Sequence, residues 1–268
     1  ESLRSDVNIL ERHVEEQRVW WPVALRDGSS LASSGTGQAS VAELAAALVP
    51  LHHTSLGPLA GGLTLGEIGL TDRLRELDFE IPLAGGDLAP GVSSTGRVSL
   101  ADVGALLDQH LAEGDPLLPY AARLRSPGLG GQSLRGYLSG SIDVVLRVPG
   151  DDGGHRYLVV DYKTNWLGPA DEPLTAAAYS RDRVVEAMLH SDYPLQALLY
   201  VVVVHRYLRW RQPGYDPARH LGGVLYLYVR GMCGPGTPED DGHPAGVFSW
   251  QPPTSLVTAL SDLLDGAR

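Results

Sequence analysis

Hydrophobic and polar positions alternate along this chain with two periods, which predict both helices and strands. Apolar residues that recur every three to four positions are typical of amphipathic helices, whereas strict alternation or a short apolar run is typical of strands. The predicted helices cover residues 7–20, 41–53, 99–112, 181–192, 194–211 and 255–266, and the predicted strands cover residues 75–83, 140–148, 156–164 and 222–231. This order predicts an α/β fold with a mixed central sheet flanked by helices.

Glycine, serine and proline separate these elements. Residues 27–40 and 84–97 are rich in them and predict two loops. Pro50 is expected to end the helix that begins at residue 41, because proline has no N–H to donate. We expect two parts in the chain, an N-terminal helical portion at 1–75, truncated at its start, and a core at 76–268.

The predicted strands at 140–148 and 156–164 carry two acidic residues at matching positions. Asp143 and Asp161 are equidistant from Asp152, in the middle of the connecting turn. An antiparallel hairpin of that register places the two carboxylates across from each other, with Cβ atoms about 5 Å apart. Lys163 lies two residues beyond Asp161 and so points to the same face. Because adjacent carboxylates repel, a divalent cation such as Mg²⁺ would complete the neutralisation that Lys163 begins.

A surface hairpin with a cross-strand salt bridge is an alternative explanation of the same pattern, because the motif D-x-K is short and frequent by chance. The apolar runs beside both acids favour burial instead, where charges are costly unless they are paired. Gln196 and Tyr200 add two polar groups, four residues apart, to one face of an otherwise apolar helix.

Composition narrows the classes of function. The chain has 268 residues, with 21 basic and 32 acidic side chains and a formal net charge of −11. This charge disfavours binding along duplex DNA through a broad basic face. Lys163 is the only lysine, as expected where a compact ammonium is required and arginine serves elsewhere. A Walker A motif needs a lysine of its own, so we expect no ATP site in this chain.

Cysteine content and hydropathy bear on the location of the protein. The single cysteine, Cys233, excludes an internal disulfide and favours a cytoplasmic protein. The longest apolar run, residues 197–204, is too short to cross a membrane, so no membrane partner is expected.

Four blocks that follow in order resemble a known family: GSIDVVLRV, RYLVVDYKTNWLG, YPLQALLY with HRYLRW, and HLGGVLYLYVRG. They resemble the C-terminal nuclease domain of the RecB family, the beta subunit of exonuclease V (RecBCD), within the PD-(D/E)xK nuclease superfamily. The resemblance runs from about Glu76 to the C-terminus and implies a restriction-endonuclease-like core. It implies a Mg²⁺-dependent exodeoxyribonuclease that acts on DNA during double-strand-break processing and recombinational repair. RecC-like and RecD-like subunits and a recombinase are the implied partners.

The resemblance also implies roles for the clustered residues. Asp143 and Asp161 correspond to metal-binding carboxylates, and the backbone carbonyl of Tyr162 corresponds to a further ligand. Mg²⁺ is the implied metal, with Mn²⁺ or Ca²⁺ as alternative occupants. Lys163 corresponds to the catalytic lysine that positions or activates the attacking water and steadies charge on the scissile phosphate.

Two further motifs of the family have counterparts in the sequence. Gln196 and Tyr200 match the helical Q-x-x-x-Y pattern, which helps to organise the site and the DNA. The block RELDFEIPL places the family's upstream glutamate at Glu76, with Asp78 on the same face of the strand as the competing assignment.

The family's metal-binding histidine, in a G-T-x-x-H-like context, has no counterpart in this sequence. His52 and His53 are the nearest candidates, but they follow Pro50 and are expected to be surface residues of a loop. We therefore expect the histidine-bearing segment to precede residue 1.

Two other classes of function remain open. The first is a nuclease-fold module that has lost catalysis and serves in DNA or protein binding, and the second is a purely structural α/β domain. The run HRYLRWR (205–211) interleaves arginines with aromatic residues, which are able to stack on single-stranded DNA. The favoured prediction places Tyr207, Leu208 and Trp210 partly in the core and leaves the arginines solvated.

Overall fold

The structure is a computed structural model that describes residues 2–20, 40–83 and 98–266. Over these ranges the helices are α1 (Ser2–Arg18), α2 (Val41–His52), α3 (Leu100–His110), α4 (Tyr120–Leu124), α5 (Arg181–Leu189), α6 (Tyr193–Arg211), α7 (Pro217–His220) and α8 (Thr254–Leu264). The strands are β1 (Arg73–Pro82), β2 (Val98–Ser99), β3 (Ser133–Leu134), β4 (Tyr137–Pro149), β5 (His155–Lys163), β6 (Leu221–Tyr228), β7 (Glu239–Asp240), β8 (His243–Pro244) and β9 (Val247–Trp250). The predicted loops at 27–40 and 84–97 lie outside the described residues, apart from Ser40.

A five-stranded sheet in the order β1-β4-β5-β6-β9 forms the centre of the molecule. β5 and β6 run parallel, and the other three neighbouring pairs are antiparallel. Parallel neighbours need a crossover connection, and the chain makes it through α5 and α6. The predicted mixed sheet with flanking helices is therefore confirmed, although the sequence pattern did not indicate its edge strand β9.

The sheet is buried on both faces around its middle strands. Val145 and Val159 pack into one hydrophobic cluster with residues of α3, α6 and α8. Val144 and Val160, their neighbours along the strands, pack into a second cluster with side chains from the segment 56–68. This two-sided burial is the reason that β4 and β5 read as apolar runs rather than alternating strands.

The helix α2 ends at His52, two residues after Pro50, which agrees with its predicted end near Pro50. Because proline has no N–H, Pro50 costs the helix one backbone hydrogen bond. The carbonyl of Pro50 also accepts a hydrogen bond from the Thr54 hydroxyl, at 2.9 Å. At the other end, Ser40 and Glu43 form a reciprocal capping box that stabilises the first turn.

The end of α6 differs from its prediction in two side chains. Leu208 is buried as expected, but Trp210 is 75% exposed. Trp210 follows Leu208 by two residues, which is about 200° around the helix axis, so its side chain points away from the core. Arg206 is not solvated: it forms an ion pair of 2.8 Å with Asp265 and donates to Ser261. The packing of α8 against α6 supplies both partners.

In the part of the chain that the structure describes, no single helix has the length and hydropathy to cross a membrane. The pair formed by α5 and α6 satisfies that test by length and composition only, with a bend of 88° between them. Much of α6 packs in the core of the sheet.

Candidate active site

The hairpin of β4 and β5 has the predicted register. Its ladder runs from Pro149 opposite His155 to Val144 opposite Val160. Asp143 and Asp161 occupy the next position beyond this last pair. The Asp143 carboxylate accepts a hydrogen bond of 2.9 Å from the backbone N–H of Tyr162, so it holds the two strands together where the ladder ends.

Asp161 and Lys163 form a buried ion pair. Lys163 Nζ lies 2.5 Å from Asp161 Oδ2, and only 11% and 6% of the two side chains is exposed. The pair lies within one strand, so it differs from the exposed cross-strand bridge that was the alternative explanation. Burial raises the pKa of Asp161 above its usual value, against the opposing hydrogen bond and charge of Lys163, and the negative charge of Asp143 raises it further.

Lys163 is enclosed by groups from two other elements. Its ammonium donates to Gln196 Oε1 on α6 at 3.2 Å. It also lies 3.9 Å from the centre of the Tyr193 ring and 5.0 Å from that of Tyr226, where the π-electrons attract a cation. The Tyr226 hydroxyl donates to the same Gln196 Oε1 at 3.0 Å, so one amide oxygen orients both groups.

The polar pair on α6 joins this helix to β4. Gln196 Nε2 donates to the Tyr200 hydroxyl at 3.0 Å, which confirms that the two side chains share a helix face. The Tyr200 hydroxyl in turn donates to the backbone carbonyl of Ser141, two residues before Asp143, at 2.9 Å. A continuous hydrogen-bonded chain therefore runs from the lysine to the strand that carries the other carboxylate.

The two candidates for the upstream acid lie at different positions on β1, and both are exposed. The register pairs Arg75 with Val144 and Leu77 with Ile142, so Glu76 is level with Asp143. Asp78 is opposite Ser141, two positions further from the carboxylates. Glu76, Asp143 and Asp161 thus occupy one row across three adjacent strands.

Glu76 has a backbone conformation that is rare for residues other than glycine, with φ of 51°. Leu74 and Leu77, on either side, both contact the α6 side of the sheet although three residues separate them. A regular strand would place them on opposite faces. Left-handed conformations of this kind cost about 1 kcal/mol or more and are concentrated at functional sites. The regular alternation of side chains along β1 is therefore interrupted at Glu76, which is level with Asp143.

The comparison with known proteins identifies the relatives of this chain. No family model matches it. The chain is 63% identical to the RecBCD enzyme subunit RecB of Mycobacterium tuberculosis (strain H37Rv) over 259 residues. The aligned residues make up 97% of the chain and 22% of that protein. The predicted resemblance to RecB is confirmed. RecB of Mycolicibacterium smegmatis is 61% identical over 256 residues (96% of the chain, 22% of the relative), and RecB of Escherichia coli K12 is 31% identical over 206 residues (76% and 14%).

This RecB-like chain spans about a fifth of the length of the mycobacterial relatives that it matches, 22% in each case. The names of the relatives describe whole RecB subunits of an enzyme with several subunits.

The carboxylates of the RecB-like chain fit a magnesium ion with few protein ligands. Within the described ranges, no three Asp, Glu, His or Cys side chains converge as a ready metal site. Mg²⁺ nevertheless needs only one or two carboxylates, because water and phosphate oxygens complete its coordination. Burial is the largest cause that raises the pKa of Asp161, against the opposing hydrogen bond and charge of Lys163, so further positive charge nearby would favour the ionised carboxylate. A cation between Asp143 and Asp161 would supply that charge.

The sequence predicted that His52 and His53 lie in a loop, and this prediction is wrong. His52 is the last residue of α2, and His53 caps the helix. His53 Nε2 lies 3.2 Å from Asp6 Oδ2, and both histidines line a cavity of about 950 Å³ with Arg73. Burial, followed by the charge of Arg73, lowers the pKa of His52. Among the described contacts, none joins either histidine to Asp161.

Sequence reasoning missed two aromatic residues that enclose Lys163. Tyr193 precedes Gln196 by three residues and so lies on the same face of α6. Tyr226 points to the same side of the sheet as Val224, two residues before it on β6. Both spacings were visible in the sequence, but their relation to Lys163 depends on how α6 and β6 pack together.

Proposed function

We propose that this chain is the nuclease core of a RecB-type helicase–nuclease subunit and hydrolyses phosphodiester bonds of DNA with Mg²⁺. The activity is of the exodeoxyribonuclease V type, in double-strand-break processing and recombinational repair. DNA is the substrate, and RecC-like and RecD-like subunits and a recombinase are the partners, in the cytoplasm. We assign residues 76–268 to a core of the restriction-endonuclease-like (PD-(D/E)xK) type, and residues 1–75 to an accessory portion that also supplies the start of β1 and covers one face of the sheet with the segment 56–68.

The observation that carries this proposal is the buried Asp161–Lys163 pair beside Asp143. A structural protein gains little from such a pair, because the cost of removing both charges from water roughly offsets their attraction. A metal-dependent nuclease has a use for this arrangement, since carboxylates are able to bind the metal and an ammonium is able to stabilise charge on the phosphate. The identity to RecB over 97% of the chain supports the same conclusion.

Asp143, Asp161 and the carbonyl of Tyr162 would hold the metal. A bound Mg²⁺ supplies positive charge for the scissile phosphate and makes water more acidic at neutral pH. Asp143 is already oriented for this role by the Tyr162 N–H, and Asp161 is held by its neighbour on the strand. Burial of Asp161 keeps the electric field of these groups strong, because water does not screen it.

Lys163 positions the attacking water and stabilises charge on the phosphate. Its ammonium has three donors, and Asp161 and Gln196 accept two of them. One donor is therefore not committed to a protein oxygen and is able to meet a water or a phosphate oxygen. Tyr200 steadies Gln196 from the opposite side.

Glu76 is the proposed upstream acid, in preference to Asp78. Its register level with Asp143 supports the choice, as does its left-handed backbone. A carboxylate in this row would be able to accept a hydrogen bond from the attacking water.

The test compares the nuclease activity of variants with their metal binding. Asp143→Asn and Lys163→Met are each expected to lower Mg²⁺-dependent degradation of end-labelled linear DNA by about a hundredfold or more, as the loss of one electrostatic stabiliser does. Asp143→Asn should also weaken Mn²⁺ binding, measured by electron paramagnetic resonance, whereas Lys163→Met should retain it. Circular dichroism checks that each variant is folded.

The pair Glu76→Gln and Asp78→Asn provides a matched control, since each removes one exposed carboxylate from β1 and the two positions are two residues apart. Only Glu76→Gln should lower activity. Undiminished hydrolysis by Asp143→Asn or Lys163→Met would refute the nuclease proposal. DNA binding by a folded wild-type chain without hydrolysis would instead favour a catalytically inactive nuclease-fold module.

A further inference from the structure

Trp166 and Arg230 form an exposed pair at the edge of the sheet next to Lys163. Trp166 is 50% exposed, and Arg230 is also exposed. The guanidinium carbon of Arg230 lies 5.8 Å from the centre of the Trp166 ring. Because β5 and β6 are parallel and Lys163 pairs with Tyr228, the residues that follow both strands emerge at the same edge.

Both side chains are held by the backbone. Trp166 Nε1 donates to the carbonyl of Pro169 at 3.2 Å, which sets the direction of the indole ring. Arg230 Nε donates to the carbonyl of Thr164 at 2.9 Å, which tethers the exposed guanidinium, and among the described residues its other N–H groups form no hydrogen bond.

The loop beneath the pair is anchored on its inner side. The hydroxyl of Tyr179 donates to the carbonyl of Asn165 at 2.8 Å and accepts from the N–H of Leu167 at 3.3 Å. The Asn165 side chain accepts from the hydroxyl of Tyr193, whose ring covers the ammonium of Lys163. The exposed pair is therefore linked through two side chains to the proposed catalytic lysine.

The charge of Arg230 lies apart from the acidic side chains that the structure describes. Among the described residues it forms no ion pair, although the chain carries 32 acidic side chains. An unpaired, oriented guanidinium beside an exposed indole is suited to one phosphate and one adjacent base of a single DNA strand. Neither group has another role in the hydrogen-bonded chain around Lys163.

We infer that Trp166 and Arg230 bind single-stranded DNA beside the catalytic site, with a base stacked on Trp166 and a phosphate held by Arg230. This inference rests on the proposed nuclease function, and it names where the strand is held rather than how it is cut. Stacking does not depend on base identity, since every base presents a π-face. The subsite is thus expected to accept any sequence.

The same kind of pair elsewhere in the chain gives a matched control. Trp210 is 75% exposed, and the guanidinium carbon of Arg211 lies 4.8 Å from its ring. Trp210 is 14 residues beyond Gln196 on α6, which separates it from the lysine site by about 21 Å along the helix. An effect that depends on position next to Lys163 will appear with Trp166 and not with Trp210.

The experiment measures binding of a fluorescein-labelled (dT)₁₂ strand to the full chain by anisotropy, with Ca²⁺ in place of Mg²⁺ so that hydrolysis does not interfere. Trp166→Ala should raise the Kd about 5- to 30-fold, in the lower part of the range for one base–aromatic stack because the ring is half exposed. Trp166→Phe should recover most of the affinity, and Trp210→Ala should match the wild type. Arg230→Ala should reduce the slope of log K against log salt by about 0.7, the value for one phosphate on a single strand.

A strand of the same length with abasic sugars separates the two contacts. Trp166→Ala should lose no further affinity for it, because no base is left to stack, whereas Arg230→Ala should still weaken binding. Equal affinity of Trp166→Ala and wild type for (dT)₁₂, or equal losses in Trp166→Ala and Trp210→Ala, would overturn the inference. These measurements require no catalysis, so the subsite and the nuclease proposal fail or survive independently.

Discussion

Removing the ammonium of Lys163 tests how much the buried Asp161–Lys163 pair contributes to the free energy of unfolding. At 2.5 Å, the Coulomb attraction at an effective dielectric constant of 20 is about 7 kcal/mol before the cost of desolvation. Because both side chains are nearly inaccessible, breaking the pair by removing one partner should cost about 3–5 kcal/mol of unfolding free energy. Lys163→Met removes the charge and keeps an unbranched side chain that fits the same space.

Removing the second charge should reverse most of that loss. Asp161→Asn combined with Lys163→Met leaves no uncompensated buried charge, so the double variant is expected to be more stable than Lys163→Met alone. Asp161→Asn alone should cost less than Lys163→Met, because burial raises the pKa of Asp161 and the Lys163 ammonium keeps Gln196 Oε1 and two aromatic rings as partners.

The dependence on pH gives an independent check of sign. In Lys163→Met, the pKa of Asp161 in the folded protein should lie still further above its value in the unfolded chain. The folded state then binds a proton more tightly, so stability is gained as pH falls through the raised pKa. The defect of Lys163→Met should therefore be smaller at pH 5 than at pH 8, and the double variant should lack this difference.

The measurement is urea unfolding followed by far-ultraviolet circular dichroism, in EDTA so that metal binding makes no contribution. In a parallel thermal unfolding experiment, the same loss of 3–5 kcal/mol should lower Tm by about 6–20 °C for a chain of this size. A Lys163→Met variant within 1 kcal/mol of the wild type would show that solvent screens the pair. A double variant no more stable than Lys163→Met would show that charge is not the cause.

Two further predictions concern hydrogen bonds in the same core. Tyr226→Phe keeps the ring beside Lys163 but removes the hydroxyl that donates to Gln196. It should lower the rate of DNA hydrolysis only a few-fold and the free energy of unfolding by about 1 kcal/mol, as the loss of one buried hydrogen bond does. A loss of activity as large as that of Lys163→Met would contradict a positioning role for Tyr226. Burial and then the charges of neighbouring arginines lower the pKa of His205, which lies 2.8 Å from the hydroxyl of Tyr215. The folded state thus disfavours the protonated ring, and stability falls as pH drops from the ordinary pKa of 6.5 through the lowered value. His205→Asn should show a smaller drop in Tm between pH 7.5 and 5 than the wild type, and identical drops would refute the assignment.

Local sequence patterns determined the hairpin that carries the site. Asp143 and Asp161 have matching positions about the connecting turn, and the position and length of that turn fix the register of the hairpin. The direction of Lys163 follows from the period of a strand, and the pairing of Gln196 with Tyr200 follows from the period of a helix. These features depend only on neighbours in the chain, so they were predictable.

The same local reasoning failed where the surroundings decide. The exposure of Trp210 and the ion pair of Arg206 depend on what lies next to each residue. A helical period shows which residues share a face, but it does not show where the neighbouring element ends. The left-handed backbone of Glu76 had no sequence signal either, because glutamate rarely adopts it.

The sequence by itself determined which residues share a strand or helix face, and thus the candidate carboxylates and the lysine between them. Only the tertiary structure decided how that lysine is held. Gln196 is 33 residues from Lys163, and Tyr226 is 30 residues from Gln196, yet all three meet at one amide oxygen. Contacts over such separations arise from the packing of α6 on β5 and β6, which is set by the whole hydrophobic core and not by any single segment.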